Sequence, residues 1–273
     1  MKIYYCKKCL IPNSKPGLKK FVNDICDACH FHEIKKKNKN GINWLKRKKE
    51  FEKLIKDIKK INAPLYDVLV PVSGGKDSIS QVHRLLKYNL RILALNVDFG
   101  IRTKIGDYNL SLIPKMGASL ITYTVDQKLQ KKIVKISFEN HGDPDILSHC
   151  HVHAYPIRMA MNLKIPLVLH GENPAYEYSG DEGYDEQNIS QKWFDNYIAY
   201  SEFKPKIFSK KYKIDYKNLI NYDLPTKKEL KKIKIVFCSY FFNWNSETNL
   251  KIAKKYGFKT LKKNAEGTYR NYV

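Results

Sequence analysis

Four short apolar runs, Val68–Val72, Ile92–Val97, Leu120–Tyr123 and Pro166–Leu169, alternate with stretches of helical composition. No other feature of the 273-residue chain limits its fold so strongly. Strands separated by helix-length segments cannot pair as hairpins. They must run parallel through crossovers, with helices covering both faces of the sheet. The expected class is therefore α/β. Sheets of this kind bind ligands beyond the carboxyl ends of their strands, which places the expected chemistry in Ser73–Ser78, Asp98–Thr103 and Gly171–Gly183.

The α/β pattern begins at Tyr66. Before it, Lys35–Lys60 is Lys-rich and partly helical. Phe51, Leu54, Ile55, Ile58 and Ile61 form an apolar stripe at helical spacing, suited to packing the N-terminal region onto the next domain. Asn62-Ala63-Pro64 ends the stretch. The expected division is 1–34, a cysteine module; 35–63, a linker helix; and 64–273, the α/β domain with a helical and strand extension. In that extension Thr226–Ile233 reads as helix and Ile235–Phe241 as strand. Ser246–Tyr256 reads as a last helix, with Ser246 as N-cap and Gly257 following it.

The run Ser73-Gly74-Gly75-Lys76-Asp77-Ser78 sits between the first strand and the helical Ile79–Tyr88. Glycines allow a tight turn whose N–H groups, with the helix N-terminus, converge on an anion. Lys76 adds charge for phosphate oxygens, Ser73 and Ser78 add hydroxyl donors, and Asp77 suits a phosphate-bound Mg²⁺. Neither G-x-x-x-x-G-K-[ST] nor G-x-G-x-x-G is present. The loop resembles that of the ATP pyrophosphatase (PP-loop) superfamily. That resemblance implies an adenine nucleotide α-hydrolase-like fold, with cleavage of ATP between its α and β phosphates to adenylate an oxygen of a substrate.

Cys6-x-x-Cys9 and Cys26-x-x-Cys29 are 16 residues apart, a spacing that lets two thiolate knuckles converge on one tetrahedral Zn²⁺. Four thiolates leave no position for water, so such a site is structural and folds a segment too short for its own core. An iron–sulfur centre is the rival reading. No run reaches the roughly 20 apolar residues of a membrane span and no export signal opens the chain, so the expectation is a cytoplasmic protein without a membrane partner. The formal charge of +23 invites a nucleic-acid reading. The lysines are spread along the length, as biased composition would leave them, so nucleic acid is not the expected partner.

A closer resemblance rests on four segments: the N-terminal Cys-x-x-Cys-Leu-Ile-Pro, Tyr66–Ser78, His170-Gly171-Glu172-Asn173-Pro174-Ala175-Tyr176-Glu177-Tyr178, and Glu266-Gly267-Thr268-Tyr269-Arg270-Asn271-Tyr272. Together they are similar to the N-acetyl sugar amidotransferases of bacterial surface-polysaccharide and flagellin-sugar pathways. The resemblance implies that Mg-ATP adenylates the oxygen of a sugar's N-acetyl group and that ammonia displaces AMP, leaving an acetamidino group. It also implies a C-terminal part shortened relative to the family. Position 2 is Lys and no Gly-x-Cys-x-Gly elbow surrounds Cys150 or Cys238, so ammonia is expected from separate glutaminase and cyclase-like subunits.

On this reading Lys76, Asp77, Cys150 and His151 are the catalytic candidates. Ser73, Gly74, Gly75, Lys76, Asp77, Ser78 and Asp98 bind nucleotide; Gly171, Glu172, Asn173 and Glu177 bind substrate; Cys6, Cys9, Cys26 and Cys29 bind metal. Asp98 reads equally as a turn former. Of His149, Cys150, His151 and His153 at most two can converge if they share a helix. One alternative is a PP-loop tRNA thiolase or lysidine-type ligase, favoured by the charge and the cysteine module, with Cys150 and Cys238 as its relay pair. Position 147 is Leu and position 153 His, against the iron–sulfur kind of thiolase. A second alternative is a non-catalytic zinc-containing interaction protein.

Overall fold

The computed structural model describes residues 2–14, 21–172, 187–197, 204–264 and 271–272. A hairpin of β1 (Phe21–Val22) and β2 (Ile25–Cys26) opens the described elements, turning through Asn23 and Asp24. Both turn residues have left-handed backbone (φ 52° and 60°), as a two-residue hairpin loop with the right twist requires. Helix α1 (Asp27–Gly41) starts inside the cysteine module and places Cys29 in its first turn. After a break at Ile42-Asn43, the Asn43 side chain caps α2 (Trp44–Lys60) by accepting from the Lys46 N–H. Phe51, Ile55 and Ile58 of the expected stripe are buried, Leu54 is half-buried and Ile61 is exposed beyond the helix end.

The main sheet then assembles from β3 (Val68–Pro71), α3 (Lys76–Leu86), β4 (Ile92–Asp98), α4 (Lys104–Leu110), α5 (Leu112–Lys115), β5 (Ser119–Thr124), α6 (Gln127–His141), α7 (Ile146–Asn162) and β6 (Leu167–His170). Next come α8 (Gln191–Tyr197), α9 (Pro205–Tyr212), a 3-10 helix (Tyr216–Tyr222) and α10 (Lys227–Leu230). β7 (Lys234–Phe237), α11 (Cys238–Phe241) and α12 (Ser246–Lys255) complete the chain's described elements. The five long-range strands are all parallel, in the order β5-β4-β3-β6-β7. The α/β class with helices on both faces is thus what the chain forms.

Strand alternation divides the core in two. Leu69, Leu93, Leu95, Val168, Ile235 and Phe237 point to one face, where α6, α7, α8, α9 and the 3-10 helix pack. Val68, Val70, Ile92, Ala94, Leu167, Leu169 and Val236 point to the other, covered by α2, α3, α5 and α11. α2 is therefore a layer of the main core: Phe51 meets Tyr88, Phe241 and Phe242 at ring-centroid distances of 5.0 Å. Arg47 donates to the Tyr240 carbonyl (3.0 Å) and lies over that ring.

The last strand ends earlier than its apolar run suggests. β7 stops at Phe237, and Cys238–Phe241 coil into a helical turn that carries Phe241 onto Phe51; tertiary packing overrides β propensity there. α12 is capped by Asn245, which accepts from the Thr248 N–H, while the Ser246 hydroxyl is buried without a hydrogen-bond partner among the described residues. Gly257 follows with φ 89°, the left-handed conformation expected after a helix end. Among the described residues no helix is long and apolar enough to cross a membrane.

Candidate functional site

Strand order reverses between β3 and β6, and at such a switch point the crossovers leave in opposite directions and open a crevice above the carboxyl ends. β3 ends at Pro71 and the chain passes through Ser73–Gly75 into α3 there, while β6 ends at His170 and passes into Gly171-Glu172. The sequence-expected loop thus occupies the place where this topology makes a ligand site.

Its shape is set by named contacts. Gly74 has φ 82°, and a Cβ there would sit 3.1 Å from the Leu110 backbone nitrogen and 3.2 Å from the Gly106 carbonyl oxygen. Only glycine meets both demands. The Ser73 N–H donates to Ser78 Oγ (2.9 Å), the two serine hydroxyls share a hydrogen bond (3.2 Å), and the Gly75 N–H donates to Ser73 Oγ (3.3 Å). These bonds curl the loop across the start of α3. The first N–H groups of that 11-residue helix have no intrahelical acceptors and carry the positive end of its dipole.

Lys76 is buried, and its ammonium meets Asp77 Oδ2 at 2.6 Å. The other carboxylate oxygen, Asp77 Oδ1, accepts from Asn249 Nδ2 on α12 (2.7 Å). The Tyr272 ring lies 5.5 Å from the Lys76 ammonium. Ser73, Gly74, Gly75, Lys76, Asp77 and Ser78 therefore form one cradle with a cation, a carboxylate and two hydroxyls at its edge.

Asp98 is committed to the neighbouring strand end. Its Oδ1 accepts from the Gly100 N–H (2.9 Å), closing a turn, and its Oδ2 meets Thr124 Oγ1 and Arg102 Nη2 (3.3 Å each). Arg102 also reaches Asn96 Oδ1 (2.7 Å), whose amide donates to the Val72 carbonyl (2.8 Å) just before the loop. Asp98 thereby braces the base of the cradle through Arg102 and Asn96. On the β6 side, a Cβ at Gly171 would lie 3.1 Å from Gln81 Oε1, and Glu172 Oε1 accepts from the Trp244 indole N–H (3.1 Å). Asn173, Glu177 and most of the Glu266–Tyr272 stretch lie outside the described residues.

Cys150 and His151 are enclosed by the core beneath the sheet. Burial, with the Asp223 charge, pushes the Cys150 thiol up to about 12. Burial also lowers His151 to about 3. Its imidazole lies among Phe99, Tyr123, Tyr155 and Tyr222, with neither ring nitrogen hydrogen-bonded among the described residues. An imidazole that stays neutral to so low a pH is a poor proton acceptor near neutrality. Cys238 sits in the core on the opposite face of the sheet, its thiol also pushed up to about 12 by burial. Cys150 and Cys238, on opposite faces of the sheet, do not form a pair.

The four N-terminal cysteines do converge. Their sulfur atoms lie within 4.8 Å of one another, with Cys6–Cys29 at 3.9 Å and Cys9–Cys26 at 3.6 Å. Zn–S bonds of about 2.3 Å in a tetrahedron set S···S separations of about 3.8 Å, so the donor set fits one Zn²⁺. Burial acts to raise the Cys6 thiol, but the backbone N–H groups of Cys26, Cys9 and Lys8 outweigh it and bring it down to about 6, while burial and the neighbouring thiols push Cys26 and Cys29 up. The Lys7 N–H donates to the Asp24 carbonyl (2.9 Å) and ties the two knuckles together.

Asn249 and Trp244 were not legible as site residues. Asn249 lies 172 residues from Asp77, and no local pattern announces a contact at that separation. Arg102 lies in the Asp98–Thr103 stretch expected to carry chemistry, and its opposite charge four positions after Asp98 was the signal for its pairing.

No family model matches the chain, and no curated protein matches it. Among solved structures it is similar to a predicted subunit of tRNA methyltransferase from Methanocaldococcus jannaschii (16% identity, 68% of this chain and 75% of that one, TM-score 0.38). It is also similar to an NMN synthetase from Francisella tularensis (12%, 82% and 100%, 0.37) and to an NH3-dependent NAD synthetase from Campylobacter jejuni (20%, 80% and 96%, 0.34). Superpositions this loose carry no residue role or substrate from those proteins to this chain.

Proposed function

We propose that the chain is an ATP-dependent ligase that binds Mg-ATP at Ser73–Ser78, adenylates the oxygen of a sugar's N-acetyl group, and lets ammonia displace AMP. The observation that carries this reading is the glycine cradle at the switch point of the parallel sheet, with Lys76 and Asp77 at the first turn of α3. The sugar substrate is supported by the resemblance of His170–Tyr178 and its companion segments to the N-acetyl sugar amidotransferases.

The chemistry gives each part a task. An amide oxygen is a poor leaving group, whereas AMP bonded through that oxygen is a good one. The carbonyl oxygen attacks the α-phosphorus and pyrophosphate leaves; ammonia then adds to the carbon, and the C–O bond breaks with its electron pair departing on AMP. The helix N-terminus, Lys76 and the serine hydroxyls hold the phosphates. Asp77 would hold Mg²⁺, which supplies charge neutralisation on the leaving pyrophosphate. Glu172, which follows β6 and accepts from the Trp244 indole N–H, would serve as a substrate contact, and Cys150 and His151 act through packing. Cys6, Cys9, Cys26 and Cys29 would hold a structural Zn²⁺. Ammonia comes from a separate glutaminase.

Incubation with Mg-ATP, ammonium and a panel of N-acetylated nucleotide sugars, read by mass spectrometry, tests the assignment. The expected product has one acetamido oxygen replaced by NH, and glutamine in place of ammonium gives none. The charge of +23 favours a tRNA substrate as the second reading. Turnover on tRNA with none on any sugar of the panel would establish that reading instead.

A further inference from the structure

We infer that Asn249, on the last described helix, is a positioning residue for the nucleotide loop: its carboxamide fixes the Asp77 carboxylate. The inference rests on the reading above, in which Asp77 faces the phosphate-bound cation. Asn249 is fully buried between α12 and α3. Its Oδ1 accepts from Ser80 Oγ (2.9 Å) and from Arg84 Nη2 (3.0 Å), and its Nδ2 donates to Asp77 Oδ1 (2.7 Å). Asp77, Ser80 and Arg84 follow at three- and four-residue spacing along one face of α3, so one amide spans more than a turn of that helix.

The polarity of the network leaves the amide one orientation. A guanidinium only donates and an ionised carboxylate only accepts, so turning the amide over would set donor against donor at Arg84 and acceptor against acceptor at Asp77. Lys76 holds Asp77 Oδ2 from the other side at 2.6 Å. The carboxylate is thus pinned at both oxygens, and each oxygen retains lone-pair capacity for a cation above the loop. A carboxylate free to rotate loses that preorganisation, and metal sites depend on such outer partners for about 10- to 100-fold in affinity.

The test is calorimetric titration of ATP, with and without Mg²⁺, into the full chain carrying single substitutions. Asn249→Ala is expected to weaken Mg-ATP binding about tenfold and to change metal-free ATP binding by less than about twofold. Tyr256→Phe breaks a further side-chain hydrogen bond, between His83 Nδ1 on α3 and the hydroxyl of Tyr256 just past α12 at 2.7 Å, and is expected to leave both affinities unchanged. A purely structural role for Asn249 predicts instead that both substitutions act alike, or that metal-free and Mg-ATP binding fall together.

Should Asn249→Ala fail to fold, the double variant Ser80→Ala with Arg84→Met removes the donors that orient the amide and is expected to give the same metal-specific loss. Unchanged Mg-ATP affinity in the folded Asn249 or Ser80/Arg84 variant, while Asp77→Asn loses it, overturns the role of Asn249 alone. Unchanged metal dependence in Asp77→Asn overturns the reading of the loop, and the inference with it.

Discussion

Serine at both Cys26 and Cys29 is expected to abolish metal binding and to unfold the N-terminal module while the parallel sheet stays intact. Among its described residues the module shows little core of its own: a hairpin of two-residue strands, an edge contact between the Tyr4 and Phe21 rings, and the turn hydrogen bonds around Cys6. Structural Zn²⁺ contributes apparent binding free energies of about 10–16 kcal/mol in zinc-finger peptides, far above what such contacts supply. The sheet is held separately, by apolar layers that none of these cysteines joins. Metal analysis should give about one Zn²⁺ per chain in the wild type and none in the variant, with fast amide exchange confined to the region of residues 2–34. A visible iron chromophore, or unchanged metal content in the variant, contradicts the zinc assignment.

Removing the loop's charges is expected to have a comparably large effect on nucleotide binding and little on the fold. Lys76→Ala takes away the cation closest to the cradle, and Asp77→Ala takes away its carboxylate. Deleting one preorganised electrostatic contact in a water-excluded site costs roughly 10²- to 10³-fold, so AMP formation in either variant should fall by at least that range. Gly74→Val reaches the same end through the backbone. A branched side chain at φ 82° is strained, and the atoms it meets at 3.1–3.2 Å include the Leu110 backbone nitrogen and the Gly106 carbonyl oxygen. Calorimetry of ATP binding beside thermal unfolding separates loss of the site from loss of the fold; wild-type ATP affinity in all three variants removes the loop from the mechanism.

Much of this architecture could be read from the chain because the relevant signals are local. β3, β4 and β6 are central and buried on both faces, so they appear as predominantly apolar runs. The edge strand β5 is half exposed, yet its Leu120, Ile121 and Tyr123 still mark it. The glycine loop was legible because a strand, a tight turn and a helix start impose residue types at fixed spacing. The same holds for the cysteines, whose positions answer to one bond length.

What escaped depends on contacts distant in sequence. Cys238 lies at the end of a run that reads as strand, and only the aromatic packing of Phe241 on Phe51 decides that it begins a helical turn. His151 and Cys150 are catalytic candidates only through the family resemblance. α7, however, buries residues around most of its circumference, so chemically distinctive side chains fall among apolar ones. Asp98 had two readings, and the position of Arg102 between it and Asn96 decided how its carboxylate is used.

The central claim is that the cradle directs cleavage of ATP between the α and β phosphates. Phosphorus NMR of the nucleotide products, with Mg-ATP, ammonium and an accepted N-acetyl sugar present, tests it most directly. The account predicts AMP and pyrophosphate in equal amounts, formed only when the sugar is present and absent with Lys76→Ala. ADP and orthophosphate, or AMP formation that persists in Lys76→Ala and Asp77→Ala, would contradict it.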